Sequence, residues 1–319
     1  MSENSLIKIE GKPVEKLIDV ISKGIGTVYR PRAIRKEAEA EAYKIEIIER
    51  AKSKALAEGK EIDAEVSARI NQRLLHQETR RQLNIDNVAE IAAKQLERET
   101  TISEEQVNDD WTTRFFNIVK DISEIEMQTL WGRILAGEVK HPKSFSLRTL
   151  ELLKNLNKDE AEIFMKIGTH AIKTINNYKF IFRGNYKNVE KFFTYSDISR
   201  LIECGLIQPG DTISLQYNTN KEGYSCSYWT ENYVTFINIK PNSPFINIPI
   251  YPFTNSGCEL LNLIKADTPF EYISLFAKAY MSNLFGNKKD NVDVKFTEIV
   301  SWENEIFIYD EENLKDFSF

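Results

Sequence analysis

Cysteine is nearly absent from this chain of 319 residues: Cys204, Cys226 and Cys258 stand far apart, odd in number, with no Cys-x-x-Cys pair. That excludes a disulfide framework and a zinc clip of paired thiolates, and it predicts a reducing cytoplasm. Histidine is as scarce, and His76, His141 and His170 share no ligand spacing, so each is expected at the surface or at a helix cap and no metal site is assigned. Met1 to Glu10 lack the basic start and apolar run of a signal peptide, and no apolar run is long enough for a membrane span, so neither secretion nor a span is expected. Positive charge is in deficit, with 42 Lys and Arg against 48 Asp and Glu for a net charge of -6. Nucleic-acid binding through bulk electrostatics is therefore disfavoured. Gly24-Ile-Gly26 lacks the following glycine, lysine and flanking strand of a phosphate loop, and no hydrolase, zinc-protease or kinase motif occurs. No catalytic residue and no cofactor is assigned.

What is present is helix. From about Pro13 to Arg30 the apolar residues Leu17, Ile18, Ile21, Ile25 and Val28 recur at helical steps, predicting an amphipathic helix interrupted by Gly24 and Gly26. Leu17, Ile21 and Ile25, with Arg30, Arg32 and Arg35 just beyond, form a candidate contact with an anionic membrane surface or a protein partner; the plainer reading of the arginines is a solvated helix start. Between Arg30 and Thr100 charges of both signs nearly cancel and alanine is frequent, the composition of long exposed helices. The apolar stripe is thin there. Ala38, Ala42 and Ile45 lie on one run, Ile62, Val66, Ile70 and Leu74 recur at every fourth position on another, and Gly59 separates the two. An antiparallel helical hairpin follows, and a stripe so narrow needs a partner, so Ile62, Val66, Ile70 and Leu74 are the candidate homo-oligomer interface.

Helix starts then follow in succession. Ser103-Glu-Glu-Gln106 and Ser123-Glu-Ile-Glu126 read as capping boxes, opening helices on Val107, Trp111, Phe115 and Ile118 and on Leu130, Trp131, Ile134 and Leu135. Gly137 is expected to close the second helix and Pro142 to prevent its continuation. Ser146 caps a third, and Asn157 with Glu160 opens a fourth carrying Ala161, Phe164, Ile167, Ala171 and Ile175. Asp109, Asp110, Asp121, Glu124 and Glu126 offer carboxylates for a metal or acid/base cluster, but acids at helix starts follow from the macrodipole alone. Trp111, Phe115, Phe116 and Trp131 have the period of a buried face rather than of a base-stacking platform.

After about Lys179 the composition turns to Tyr, Phe, Asn, Ile and Thr, which favours strands. Alternation marks Ile213 to Tyr217, Tyr233 to Ile239 and Phe245 to Ile250; helices are expected over Ser196 to Cys204, Asn255 to Ile264 and Pro269 to Phe285, and a hairpin joins Val292 to Val300 with Glu305 to Tyr309. The run Phe193 to Ile207, ending Gly205-Leu206-Ile207, resembles the helix of a winged helix-turn-helix, and Tyr251-Pro-Phe-Thr254-Asn-Ser-Gly257 resembles the strand-to-helix passage that follows a wing. Asp197, Ser199, Arg200 and Glu203 would present two acids to phosphates, so a structural or protein-binding winged helix is the better reading than a DNA reader. The fold expected is α+β: a mainly helical amino-terminal half, with a long charged hairpin and a bundle, then a winged-helix-like α+β domain. Its segments are 1–30, 31–100, 101–156 and 157–319.

Asp110-Trp111 with Phe115-Phe116, Met127-Gln128-x-Leu130-Trp131-x-x-Ile134-Leu135-Ala136-Gly137-Glu138 and Pro142-x-Ser144-Phe145-Ser146-x-Arg148-Thr149-Leu150 resemble a bacterial family known as domain of unknown function 2806. Tyr29-x-Pro31-x-x-Ile34 and Arg81-Gln82-x-Asn84-Ile85 are similar to its amino-terminal half, and the resemblance runs from Pro13 to about Ile207. Trp111, Phe115, Phe116, Trp131, Gly137 and Arg148 are its signature residues. Lys16 to Ile34 is more faintly similar to the abortive-infection alpha family, which implies a role in bacterial defence against phage. The expectation is a non-enzymatic, self-associating cytoplasmic protein, at most peripheral at the inner membrane, triggered by a phage or host protein. A winged-helix DNA-binding regulator is the first alternative. A metal-dependent nuclease using Asp109, Asp110 and Glu126 is the second.

Overall fold

The computed structural model describes residues 11–31, 64–97, 99, 102–210, 212–218, 222–264, 267–282, 289–303 and 306–317. The chain divides into two units, Met1–Leu150 and Glu151–Phe319.

The first unit is helical. Helix α1, Lys12–Ile25, carries Pro13 in its first turn, where the missing N–H costs nothing, and ends on Gly26 at φ 73. Its face of Val14, Leu17, Val20 and Ile21 is buried. Helix α2, Ala64–Leu96, lies where the second arm of a hairpin is expected. The first arm, with Ala38, Ala42, Ile45 and Gly59, lies outside the described residues. Over its last turns α2 buries Ile85, Val88, Ala89, Ala92, Ala93 and Leu96. Helix α3, Asp109–Val119, starts from Asn108, whose side chain accepts from the Trp111 amide. Helix α4, Ile125–Lys140, buries Trp131, Ile134, Leu135 and Val139, and packs on α2 so closely that a Cβ on Gly132 would lie 2.5 Å from Ile91 Cγ2. Each large apolar side chain fully buried in this unit contributes about 1.5–3 kcal/mol. Helix α5, Leu147–Asn155, is opened by the Ser146 hydroxyl, as expected.

Three local expectations are corrected here. Ser103 does not cap a helix: its hydroxyl accepts from the Glu105 amide, and α3 begins beyond it. Ser123 does not cap α4 either, since the cap position is Glu124 and no side chain bonds there. Gly137 lies inside α4, which continues to Lys140, because its missing Cβ makes room for Phe145 rather than for a left-handed turn.

The second unit is built on an antiparallel sheet. Helix α6, Lys158–Gly168, opens with the expected capping box of Asn157 and Glu160. It stops before Ala171 and Ile175, contrary to expectation, because the β-branched Ile172 and Thr174 enter a short strand. The strands are β1 Ile172–Thr174, β2 Lys179–Phe182, β3 Ser214–Tyr217, β4 Tyr224–Trp229, β5 Tyr233–Ile239, β6 Ile246–Pro252, β7 Val292–Glu303, β8 Ile306–Tyr309 and β9 Lys315–Asp316. They run in the order β3-β6-β2-β1-β4-β5-β7-β8, with β9 also on β7. Among the described residues four further α-helices belong to the unit: α7 Tyr186–Val189, α8 Tyr195–Glu203, α9 Asn255–Leu261 and α10 Phe270–Tyr280. On α10, Tyr272, Phe276 and Tyr280 are wholly buried, and the Tyr272 hydroxyl both donates to the Phe182 carbonyl at 3.1 Å and accepts its amide at 2.7 Å. Thr254 begins α9, and its hydroxyl also donates to the Gly205 carbonyl at 2.6 Å, tying the end of α8 to the start of α9.

Of the two places expected of it, surface or helix cap, His170 takes the second, beside a carbonyl in the last turn of α6. Its ring is buried among Phe192, Phe193 and Tyr272, with Nδ1 at 3.0 Å from both the Thr169 hydroxyl and the Lys166 carbonyl. Burial holds its pKa below the ordinary histidine value, the Lys166 carbonyl opposing and the Lys166 charge assisting. The unfolded chain therefore takes up this proton first, so stability held above about pH 6.5 is lost as pH falls. Urea unfolding between about pH 7 and pH 5.5 should show a falling midpoint whose slope is smaller in His170→Gln; equal slopes would contradict this assignment.

Candidate functional site

The signature residues assemble at the end of α4. Glu138 is buried, and its carboxylate receives the Lys143 amide at 2.7 Å on Oε1 and the Phe145 amide at 3.0 Å on Oε2. Lys143 turns the chain at φ 74, a left-handed conformation that a non-glycine residue adopts only when its surroundings hold it. Phe145, thus fixed, lays its ring on Gly137, where a Cβ would lie 3.0 Å from Cε2. Its carbonyl accepts from Trp111 Nε1 at 2.8 Å. Trp111 stacks on Phe115, and Phe115 meets Trp131 edge-on at 5.4 Å between centroids. The loop, α3 and α4 are therefore one connected device. Lys16 adds α1 to it by donating to the Ser103 and Glu105 carbonyls at 2.9 and 2.7 Å; burial lowers its pKa although Glu104, Glu105 and Glu138 oppose.

A second group of motif residues joins α2 to the turn between α3 and α4. Asn84 Nδ2 donates to the Lys120 carbonyl at 2.9 Å, and Gln128 Nε2 donates to Asn84 Oδ1 at 3.1 Å and to the Ile122 carbonyl at 2.9 Å. Asn87 donates to Gln128 Oε1, and Arg81 reaches Asp121 at 2.8 Å. These amides are satisfied by one another, which is what burying them requires.

The candidate carboxylates do not converge on a site. Asp109 and Asp110 are exposed in the first turn of α3, and Glu126 is exposed in the first turn of α4, where the helix dipole favours acids. Among the described residues no three His, Cys, Asp or Glu side chains are placed to hold a metal ion. Of the candidate surface set, Leu17 and Ile21 are buried in the helical unit and present nothing to a membrane or a partner. Ile25 is half-buried, Arg30 is exposed, and Arg32 and Arg35 lie outside the described residues. Val66 is exposed, Ile70 and Leu74 are half-buried, and Ile62 lies outside the described residues. On α8, Asp197 closes its own capping box with Thr194 and meets Lys166 at 3.3 Å; these partners hold its pKa down against the opposing effect of burial. Arg200 and Glu203 are exposed. Arg148 is exposed as well.

A cleft of about 1250 Å³ opens in the second unit, a site the sequence did not announce. The sheet curls so that Tyr217 of β3 meets Tyr228 of β4, although the two strands are far apart in strand order. The Tyr280 hydroxyl of α10 lies within hydrogen-bond distance of both, 3.1 Å from that of Tyr217 and 3.0 Å from that of Tyr228, with one proton to donate and lone pairs to accept. Burial pushes the hydroxyls of Tyr217 and Tyr228 up, and it pushes the thiol of Cys226, between them on the cleft wall, up to about 11. At the rim Lys240 donates to the Asp290 carbonyl at 2.9 Å and meets Asp293 at 3.4 Å. Neutral hydroxyls and a protonated thiol can bind, but they are poor nucleophiles and poor bases.

A family model described as a protein of unknown function, DUF2806, matches residues 68–277. The chain belongs to that family. The matched span starts later than the motif resemblance and continues past Ile207 through β6 and into α10, so strands β1 to β6 lie within it while β7, β8 and β9 lie beyond it. Lys16 to Ile34, which carried the fainter second resemblance, lies outside it. No curated protein and no solved structure matches the chain.

Substitution separates packing from chemistry in the signature block. Glu138→Ala should cost about 3 kcal/mol in urea unfolding, since one buried and one part-buried amide lose a charged acceptor. Asp110→Ala should cost only about 0.5 kcal/mol, the worth of an exposed acid at a helix start. A reversed order would return Asp110 to the centre of the account.

Proposed function

We propose that this DUF2806 protein acts by self-association and partner binding rather than by catalysis, as a component of bacterial antiphage defence of the abortive-infection kind. The observation that carries the reading is the division of α2. Every fully buried α2 side chain among the described residues lies at Asn84 or beyond, while the turns before it carry Val66, Ile70 and Leu74 on one stripe, with Leu83 40% exposed. Those first turns extend roughly 30 Å, more than the bundle of the first unit uses. A narrow stripe of this kind is weak alone and gains from a second copy beside it.

Three further facts support a non-catalytic role. The acids of the signature block serve helix starts and loop anchoring, and the aromatics of the block are consumed by packing. The cleft of the second unit offers hydrogen bonds without an activated nucleophile. In this reading the helical unit makes the oligomer and the sheet unit meets a phage or host protein. Among the described residues no helix is long and apolar enough to cross a membrane. The protein works in the cytoplasm in this account, with Arg30 and its neighbours as the one point of contact with the inner membrane surface.

Light scattering coupled to size exclusion tests the claim. The wild type should run as an oligomer, and the double variant Ile70→Glu, Leu74→Glu should run as a folded monomer that no longer protects a sensitive host against phage. A wild-type monomer at high concentration would sink the proposal.

A further inference from the structure

The β7–β8 hairpin ends the sheet with an apolar edge, and its surroundings are acidic. Strand β8 reads Ile306-Phe-Ile-Tyr309 without a charge or a proline. Ile306 is 69% exposed, Ile308 38% and, at the bulge in β7, Val300 70%. On the opposite face Phe307 lies between Trp229, Trp302 and Tyr309, with centroids 5.3 to 6.1 Å apart, so the strand is held firmly from one side. In an antiparallel ladder alternate residues of β8 turn their backbone N–H and C=O away from β7. A strand that is outermost among the described residues and apolar on its open face is where an extended chain adds itself to a sheet, and β8, short as it is, carries neither lysine nor proline.

Charge decides what kind of chain. Residues 289–319 hold nine carboxylates against three lysines, a balance equal to the net charge of -6 of the whole chain. Asp310, Glu311 and Glu312 follow β8 directly and are exposed. Glu303 and Glu305 precede it in sequence. A chain that pairs on this edge sets one of its ends beside Asp310, Glu311 and Glu312, where a basic flank is favoured and an acidic one is not. We propose that the β8 edge takes up an extended segment of another protein, apolar at alternate positions and flanked by lysine or arginine. This site lies in the second unit and does not depend on self-association through α2.

Fluorescence anisotropy with a labelled synthetic peptide tests it, the probe being Lys-Arg-Val-Ile-Val-Phe-Lys-Arg. The wild type should bind it, with affinity falling at least tenfold between 50 and 500 mM salt, as screening of flanking charges requires. Ile306→Lys, at a side chain open to solvent, should weaken binding at least tenfold with an unchanged circular dichroism spectrum. Ile308→Glu serves as the second variant, and it should also abolish binding. The same peptide with glutamate flanks should not bind. Absence of binding to the basic peptide overturns the proposal, as does equal binding of the acidic one. A change of oligomeric state in Ile306→Lys would overturn it too, by giving the edge to a second copy.

Discussion

The helical unit depends on one buried carboxylate. Glu138 sits at the end of α4 where the chain must reverse, and it spends both oxygens on amides of the loop that follows. An ion taken out of water costs several kcal/mol unless hydrogen bonds replace its hydration. Here the amides do so, and the loop in turn acquires a single conformation. That conformation sets Phe145 on Gly137 and turns its carbonyl to Trp111. The aromatic row from Trp111 to Trp131 then locks α3 onto α4. Without the carboxylate, the left-handed Lys143 and the ring of Phe145 have no reason to stay where they are.

The two units answer different physical problems. The first must hold a long, mostly polar helix by its last third, and it does so with small residues at the helix crossings and a web of amides around Gln128. The second must close a broad sheet, and α10 fills the concave side with Tyr272, Phe276 and Tyr280. Its cleft is a consequence of that curl: β3 comes round to β4 but does not pair with it. The hydroxyl cluster at the meeting point satisfies groups that would otherwise be buried unpaired.

Local signals were legible where the partner is also local. Ser146, Asn157 with Glu160, and Thr254 each start the helices their spacing announced, because a cap needs only the next three residues. Gly137 and Ser103 were misread for the opposite reason. Gly137 reads as a helix stop until Phe145 is known to lie against it, and Ser103 reads as a cap until its hydroxyl is seen turned to Glu105. Glu138 stands in the motif without an assigned role, since an acid beside a glycine near a helix end reads as solvated surface. The strands β1 and β4 were missed, one for its shortness and one because its small serines and cysteine hide the alternation. The cleft could not be read at all, as its tyrosines come from three distant parts of the chain. Family membership was legible because the signature residues bond to one another within some forty positions.

Hydrogen exchange of the Lys143 and Phe145 amides tests most directly whether the signature block is a packing device held by Glu138. Both belong to a surface turn, and such amides ordinarily exchange at the rates of an open loop. The account predicts protection as strong as that of the amides in the centre of α4, lost only when the helical unit unfolds. Exchange of either amide at loop rates in the folded wild type would contradict it.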